Sequence, residues 1–415
     1  MKNEDQTLIS RECFIPVRLS VLRERMLADS GLSQDERKSF QDLFEIMTAR
    51  FHFEFLKILE NLKEAYSPFD QDSETRCDPS VDAVTRAAAY QNLCDGFDQL
   101  LTHGNYTLMP HEKLQEYLFM QPFAKQMSVA VDPNEFDEVR VYYRDLRQEE
   151  FDPPASLTKK FIAKYVKKKP LPKVQVGVFS RVALLARLSD EHVVLKLFKD
   201  IKCPDLKIIS PHPRIVMTKF QTLKSSCSLV IGLATTIFKL FVASLNPVVF
   251  LAIAASLIGA GVRSVTSFFF SRTKYMQKLS SRLYFQCLAN NTTVLTRLAD
   301  SGEEEEIKEI LLAYFMLYKS HEIDLTEDEL DARVEEWILD QFGCDVDFEV
   351  DDARRKLEEK ELLVARTTPA SDGNAAREIL KVYDLRSSLR RMDEIWDNYF
   401  PFSNLGEASE DCLAE

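Results

Sequence analysis

From Ser226 to Phe270 the chain reads SCSLVIGLATTIFKLFVASLNPVVFLAIAASLIGAGVRSVTSFFF, about 45 residues with two charges, Lys239 and Arg263. A helix needs ~20 apolar residues to cross ~30 Å of hydrocarbon. Asn246-Pro247 is a turn signal that divides the run into two arms of that length, 226–245 and 247–269. Gly232, Ala234, Ala243, Ala252, Ala254, Ala255, Gly259, Ala260 and Gly261 would let the arms approach closely. Lys239 and Arg263 would snorkel to the two interfaces. Lys219 and Lys224 precede the run, and Arg272, Lys274, Lys278 and Arg282 follow it. The positive-inside rule then places both flanks in the cytoplasm. These features predict a transmembrane helical hairpin; the alternative is a buried or conditionally inserting hairpin.

Eleven glycines among 415 residues disfavour glycine-rich nucleotide loops and turn-dense β folds, so most of the chain is expected to be helical. The net charge is −13 and unevenly spread: Asp300 to Glu361 holds 23 acidic against 7 basic residues. Such a balance repels phosphate and reads as a solvated acidic face. The eight cysteines, Cys13, Cys77, Cys94, Cys203, Cys227, Cys287, Cys344 and Cys412, contain no C-x-x-C pair and fit a reducing compartment. Met1 to Arg11 is polar and resembles neither a signal nor a transit peptide.

Hydrophobic spacing predicts a short helix after Phe14-Ile15-Pro16, a long one from Gln34 to Ala65 capped by Ser33, and others at Pro79–Leu101 and Pro110–Phe119. From about Glu138 the pattern turns to strands, at 139–144, 174–186 and 192–198, with a hairpin turn at Ser189-Asp190-Glu191. Between them lies a basic helix candidate carrying Lys159, Lys160, Lys164, Lys167, Lys168, Lys169 and Lys173, suited to anionic lipid head groups. Helices are expected at Leu279–Leu298, Glu303–Tyr318, Leu325–Phe342 and Asp351–Lys360, then strands around Leu362 and Ile379. Two helices followed by a ribbon is winged-helix order. The second helix opens with Glu349, Asp351 and Asp352, the wrong charge for a major groove, so an interaction module is expected and nucleic acid is not.

Phe14-Ile15-Pro16, Phe51-His52-Phe53-Glu54, Tyr66 to Asp70, Leu195 to Ile201 with Asp205-Leu206, Leu283 to Gln286 with Asn290-Asn291, and Glu303-Glu304-Glu305 to Tyr314 occur in one order. Across residues 12–385 the chain thereby resembles the domain of unknown function 3754 family, which comprises transmembrane protein 143-like membrane proteins. The resemblance implies a two-helix anchor with flanking folded regions, and no activity. Its animal member is associated with mitochondria; the N-terminus here points instead to a bacterial inner membrane, with the mitochondrial inner membrane as alternative.

No G-x-x-x-x-G-K-[ST], G-x-G-x-x-G, H-E-x-x-H or G-x-S-x-G motif occurs. No catalytic residue, metal ligand or cofactor is assigned. His52, His103, His111, His192, His212 and His321 read as structural or surface residues. Lys196 and Lys199 are candidate phosphate or lipid contacts, with Asp200 setting the charge around Lys196; strand alternation would put Lys196 with Phe198 and Leu197 with Lys199.

The expected fold is mainly α with a small antiparallel β-sheet (α+β), a central two-helix transmembrane hairpin and a C-terminal winged-helix-like module. The divisions are 1–135 helical, 136–222 α+β with the basic helix, 226–270 the hairpin, 271–400 the C-terminal region and 401–415 a flexible tail. The expected function is a non-enzymatic, membrane-anchored scaffold or regulator, its partners membrane lipids and an unknown protein. Alternatives are a membrane-bound enzyme or binding protein for a lipid or phosphorylated ligand, and a homo-oligomeric pore.

Overall fold

The structure is a computed structural model. It describes Arg11 and residues 13–72, 82–120, 127–130, 136–152, 172–209, 214–217, 283–368 and 377–400, with scattered positions between 259 and 281. In chain order these form α1 (Leu19–Leu27), α2 (Gln34–Tyr66), α3 (Ala83–His103), β1 (Thr107–Leu108), α4 (His111–Phe119), β2 (Met127–Ala130), β3 (Phe136–Phe151), β4 (Val174–Leu188) and β5 (Val193–Lys202). A 3-10 segment Cys203–Ile209 follows, then β6 (Arg214–Met217), β7 (Cys287–Asn290), α5 (Thr292–Lys319), α6 (Glu327–Phe342), α7 (Val350–Glu359), β8 (Leu363–Thr368), β9 (Arg377–Val382) and α8 (Leu385–Asp397). The fold is mainly helical with a small antiparallel sheet. It divides into two compact units, one formed by 1–107 with 292–415 and the other by 108–291.

In the first unit α5 is the central helix. Ile307 and every residue from Ile310 to Leu317 are buried, so this helix has no solvated face over those turns. Against it lies α2, whose Phe40, Leu43, Phe44, Met47, Phe51, Phe55, Leu59 and Leu62 recur every three or four residues and are buried as one stripe. Phe40 meets the rings of Tyr314, Phe315 and Tyr318 at 6.1, 5.6 and 5.0 Å. α2 starts where the sequence predicts: Ser33 Oγ accepts from the Glu36 amide while Glu36 accepts from the Ser33 amide, a capping box. Gly302 permits close packing of α5, because a Cβ there would stand 3.1 Å from the Phe55 ring. α6 ends at Gly343 in the left-handed conformation (φ 67°). The β8–β9 ribbon follows α7, and Leu380 N–H donates back to the Leu325 carbonyl at 2.9 Å, adding a one-residue bridge before α6.

The second unit is built on an antiparallel sheet of order β1-β3-β4-β5-β7. β4 is its central strand and is buried on both faces, from Val178 to Ala186 almost without break. The β4–β5 hairpin turns at the expected place, with Glu191 at φ 67°. Tyr117 of α4 packs edge-on against Phe179 at 5.7 Å. β2 and β6 form a separate antiparallel pair.

Two expectations are corrected. The helix predicted from Leu279 through Leu298 is interrupted by β7, because Cys287–Asn290 satisfies the otherwise unpaired edge of β5, with Lys196 opposite Asn290 and Leu197 opposite Ala289. Asn291 then takes a left-handed turn (φ 48°) before α5. The larger correction concerns the membrane. Among the described residues no helix is long and apolar enough to cross a bilayer. The longest of them, α2, has 33 residues, but charges recur along it and its apolar positions form a single stripe buried against protein. The reading of the chain as a two-helix integral membrane protein of a bacterial or mitochondrial inner membrane is therefore withdrawn. With it go the membrane-anchored scaffold, the membrane-bound enzyme and the pore. The arms 226–245 and nearly all of 247–269, including Lys239, Asn246, Pro247 and Arg263, lie outside the described residues.

Candidate functional site

The densest chemistry lies in the first unit, at the start of α5, where Glu303-Glu304-Glu305-Glu306-Ile307-Lys308-Glu309 precedes the wholly buried apolar turns. A helix buried on all sides buries its charges as well. Glu305, Glu306, Lys308 and Glu309 are each at most 4% exposed. Buried charge is tolerated only when paired and hydrogen-bonded.

The pairing comes from four other parts of the chain. From α7, the Lys356 ammonium lies 2.8 Å from Glu306 Oε2 and 2.7 Å from Asp352 Oδ2, and it also contacts Glu309 Oε2. From the end of α3 and the turn after it, His103 Nδ1 lies 2.7 Å from Glu306 Oε1, and Asn105 Nδ2 donates to Glu309 Oε1 at 3.2 Å. From α2, Glu54 holds Lys360 with both oxygens at 2.7 Å, and His52 lies 3.0 Å from Glu303. From the segment before α1, Ile15 N–H donates to Glu305 Oε1 at 2.5 Å while its carbonyl accepts from Lys308 Nζ at 3.1 Å. Leu19 N–H donates to Glu304 at 3.0 Å.

Proton affinities follow from this crowding. Burial pushes the Glu309 carboxyl up to about 8, and the neighbouring Glu305 and Glu306 add to that against the pull of Lys356. Burial opposes charge on Lys356, yet Glu309, Glu306 and Asp352 outweigh it and hold the amine above its usual value. Asp352 is half-buried, but Lys356 and Arg355 hold it below the usual carboxylate range. Near neutral pH, then, Glu309 largely keeps a proton, and one ammonium faces the other two carboxyls. Glu306, Glu309 and Asp352 place ligand atoms within 4.8 Å of one another, a spacing that suits a cation. That position is taken by the Lys356 ammonium, so the cluster is a closed ion network.

Three stretches singled out in the sequence converge here: Phe14-Ile15-Pro16, Phe51 to Glu54, and Glu303 to Glu305. The acidic run read as a solvated face is thus partly internal. His52 and Glu54, which do not face each other along α2, each face a partner on another helix. Sequence reasoning missed Lys356 and Lys360. The available signal was the unbroken apolar run Ile310–Leu317, which implies burial of the turn preceding it.

In the second unit, Lys196 and Lys199 are half-buried on β5. Asp200 does not attend Lys196; its carboxylate lies 3.3 Å from Arg147, and its carbonyl accepts from Gln286 at 2.7 Å. Leu197 and Phe198 are both buried, so β5 is covered on both faces there, and its pairing with β7 shifts register between them. Asp200 itself is left-handed (φ 53°). Lys159, Lys160, Lys164, Lys167 and Lys168 lie outside the described residues.

No solved structure matches the chain. Residues 136–293 match a family model described as Protein of unknown function (DUF3754). The match is narrower than the resemblance read from the sequence; it spans the sheet from β3 to β7 and leaves the buried ion network outside. It does not by itself show the link to transmembrane protein 143. Over residues 136–293 the chain is thus similar to the domain of unknown function 3754 family.

Proposed function

We propose that this chain is a non-enzymatic protein-interaction module whose C-terminal part, from α5 to β9, is winged-helix-like and binds a protein partner rather than nucleic acid. The order supports it: α5, the Leu325 bridge, α6, α7, then the β8–β9 ribbon with Leu380 bonded back to Leu325.

The observation that carries the reading is the fate of the cations on α7, the helix that would enter a major groove. Lys356 is buried among Glu306, Glu309 and Asp352. Arg354 is bound by Glu327 at 3.1 Å, Glu358 at 3.0 Å and Glu378 at 2.9 Å. Arg355 is held by Asp352 and by Glu359 at 2.9 Å. A nucleic-acid reader spends its cations on phosphates. Here each is paired within the chain, and α7 exposes Asp351, Glu358 and Glu359 against one exposed cation, Arg355, itself held by Asp352 and Glu359. An acidic helix face of this kind suits a basic protein surface.

The test has two arms on the full chain. Fluorescence anisotropy with a labelled random-sequence duplex at about 50 mM salt should show no saturable binding, since even non-specific readers bind with Kd near or below ~10⁻⁴ M. A photo-crosslinking residue at Asp351 should capture a protein, and Glu359→Lys should abolish that capture. Saturable, salt-sensitive duplex binding, or crosslinks to nucleic acid alone, would overturn the proposal.

A further inference from the structure

We infer that the surface of α5 and the α6–α7 turn occupied by Arg11 and residues 13–16 is a peptide-docking site, filled in cis by this N-terminal strap and able to take an extended, proline-containing segment of a partner in trans. This names the chemistry of a partner for the interaction reading above and rests on that reading only for its biological use.

Arg11 and residues 13–18 of the strap have neither helix nor strand of their own. Its order comes from side chains far along the chain. Buried Glu305 takes the Ile15 N–H and buried Lys308 gives to the Ile15 carbonyl, so both main-chain polar groups of one residue are read by charged side chains. Asn105 Nδ2 donates to the Cys13 carbonyl at 3.4 Å. Pro16 biases Ile15 toward the extended backbone that presents those groups outward. The Ile15 side chain is fully buried, and the Lys308 ammonium lies 5.0 Å from the Phe14 ring. At the other end, Arg11 donates to the Val346 carbonyl, contacts Glu335 and lies 3.4 Å from Asp345, in the turn between α6 and α7.

Main-chain reading by a carboxylate and an ammonium, an aliphatic socket, and an acidic cradle four residues upstream are the parts of a peptide site. They specify an extended ligand with arginine at one end and an aliphatic residue before proline at the other. Because the recognition is of backbone, a segment from another chain satisfies it as well as the strap does. The strap competes at the ~mM effective concentration of a short tether, so a trans ligand is expected to bind weakly until the strap lets go.

The experiment uses the full chain and a labelled peptide of residues 11–18, read by fluorescence anisotropy. Ile15→Asp, which ejects the strap, should bind the peptide at least about tenfold more tightly than the unmodified chain does. Adding Lys308→Met to that variant should remove the gain. If Ile15→Asp does not keep a native circular-dichroism spectrum, Ile15→Ala replaces it with the same expectation. In the unmodified chain, millimolar unlabelled peptide should speed exchange of the Ile15 and Leu19 amides. Equal peptide binding by folded variant and unmodified chain, or unchanged amide exchange in millimolar peptide, would overturn the inference. Neither readout involves duplex DNA or the Asp351 crosslink, so its failure is distinct from failure of the interaction reading.

Discussion

Replacing Lys356 by methionine keeps the length of the side chain and removes its charge from between Glu306, Asp352 and Glu309. The consequence follows from the distances. At 2.7–2.8 Å and an effective dielectric of about 20, each contact with an ionised carboxylate is worth roughly 6 kcal/mol of Coulomb energy. Against this stands a desolvation cost of several kcal/mol per buried ion, already met in the folded chain. Deleting the ammonium abolishes the attraction and leaves the carboxyls in place, for a net loss of about 3–5 kcal/mol, or roughly 10²–10⁴ in the folding equilibrium. Urea denaturation monitored by tryptophan fluorescence can follow this, since Trp337 and Trp396 both lie in the first unit. Restoring balance with Glu306→Gln and Asp352→Asn in the same chain should recover much of the loss. A single Lys356→Met variant within about 1 kcal/mol of the unmodified chain would refute the closed network.

Glu309 makes stability depend on pH in a stated direction. Its folded pKa of about 8 lies above the ordinary carboxyl value near 4.5, so between those limits the folded chain holds a proton the unfolded chain has lost. Its contribution therefore falls as pH rises through that window, and Glu309→Gln should flatten the denaturation midpoint between pH 5 and pH 8. Tyr314→Phe removes the hydroxyl that donates to the Tyr383 carbonyl at 3.0 Å and meets Ser388 Oγ at 2.9 Å, and should cost about 1–2 kcal/mol in the same assay. Ser33→Ala deletes the cap of α2 and should cost about 1 kcal/mol, visible as a lowered thermal midpoint.

Much of the architecture was legible because it rests on local signals. Ser33, the α2 stripe and the Ser189–Glu191 turn are written in adjacent residues, and they form where the pattern puts them. β7 was not legible: four residues beside a helical pattern become a strand only because β5 offers them an edge far away in sequence. The apolar run at 226–270 was weighed by its hydropathy, its Asn-Pro break, its small residues and its basic flanks, and none of the helices described bears out a crossing. The ion network was hidden for a different reason. In sequence, a glutamate bound to a buried lysine looks the same as one bathed in water, and Lys356 and Glu306 are fifty residues apart. Only the apolar turns following Glu309 hint that the charges before them are enclosed.

Hydrogen exchange at the Ile15 amide tests most directly whether the charges of α5 hold the N-terminal strap. The structure requires that this amide, bound to fully buried Glu305, be protected far beyond its neighbours, and that Lys308→Met or Glu305→Gln strip much of that protection. An Ile15 amide exchanging at the rate of an open chain would contradict both the network and the docking site built on it.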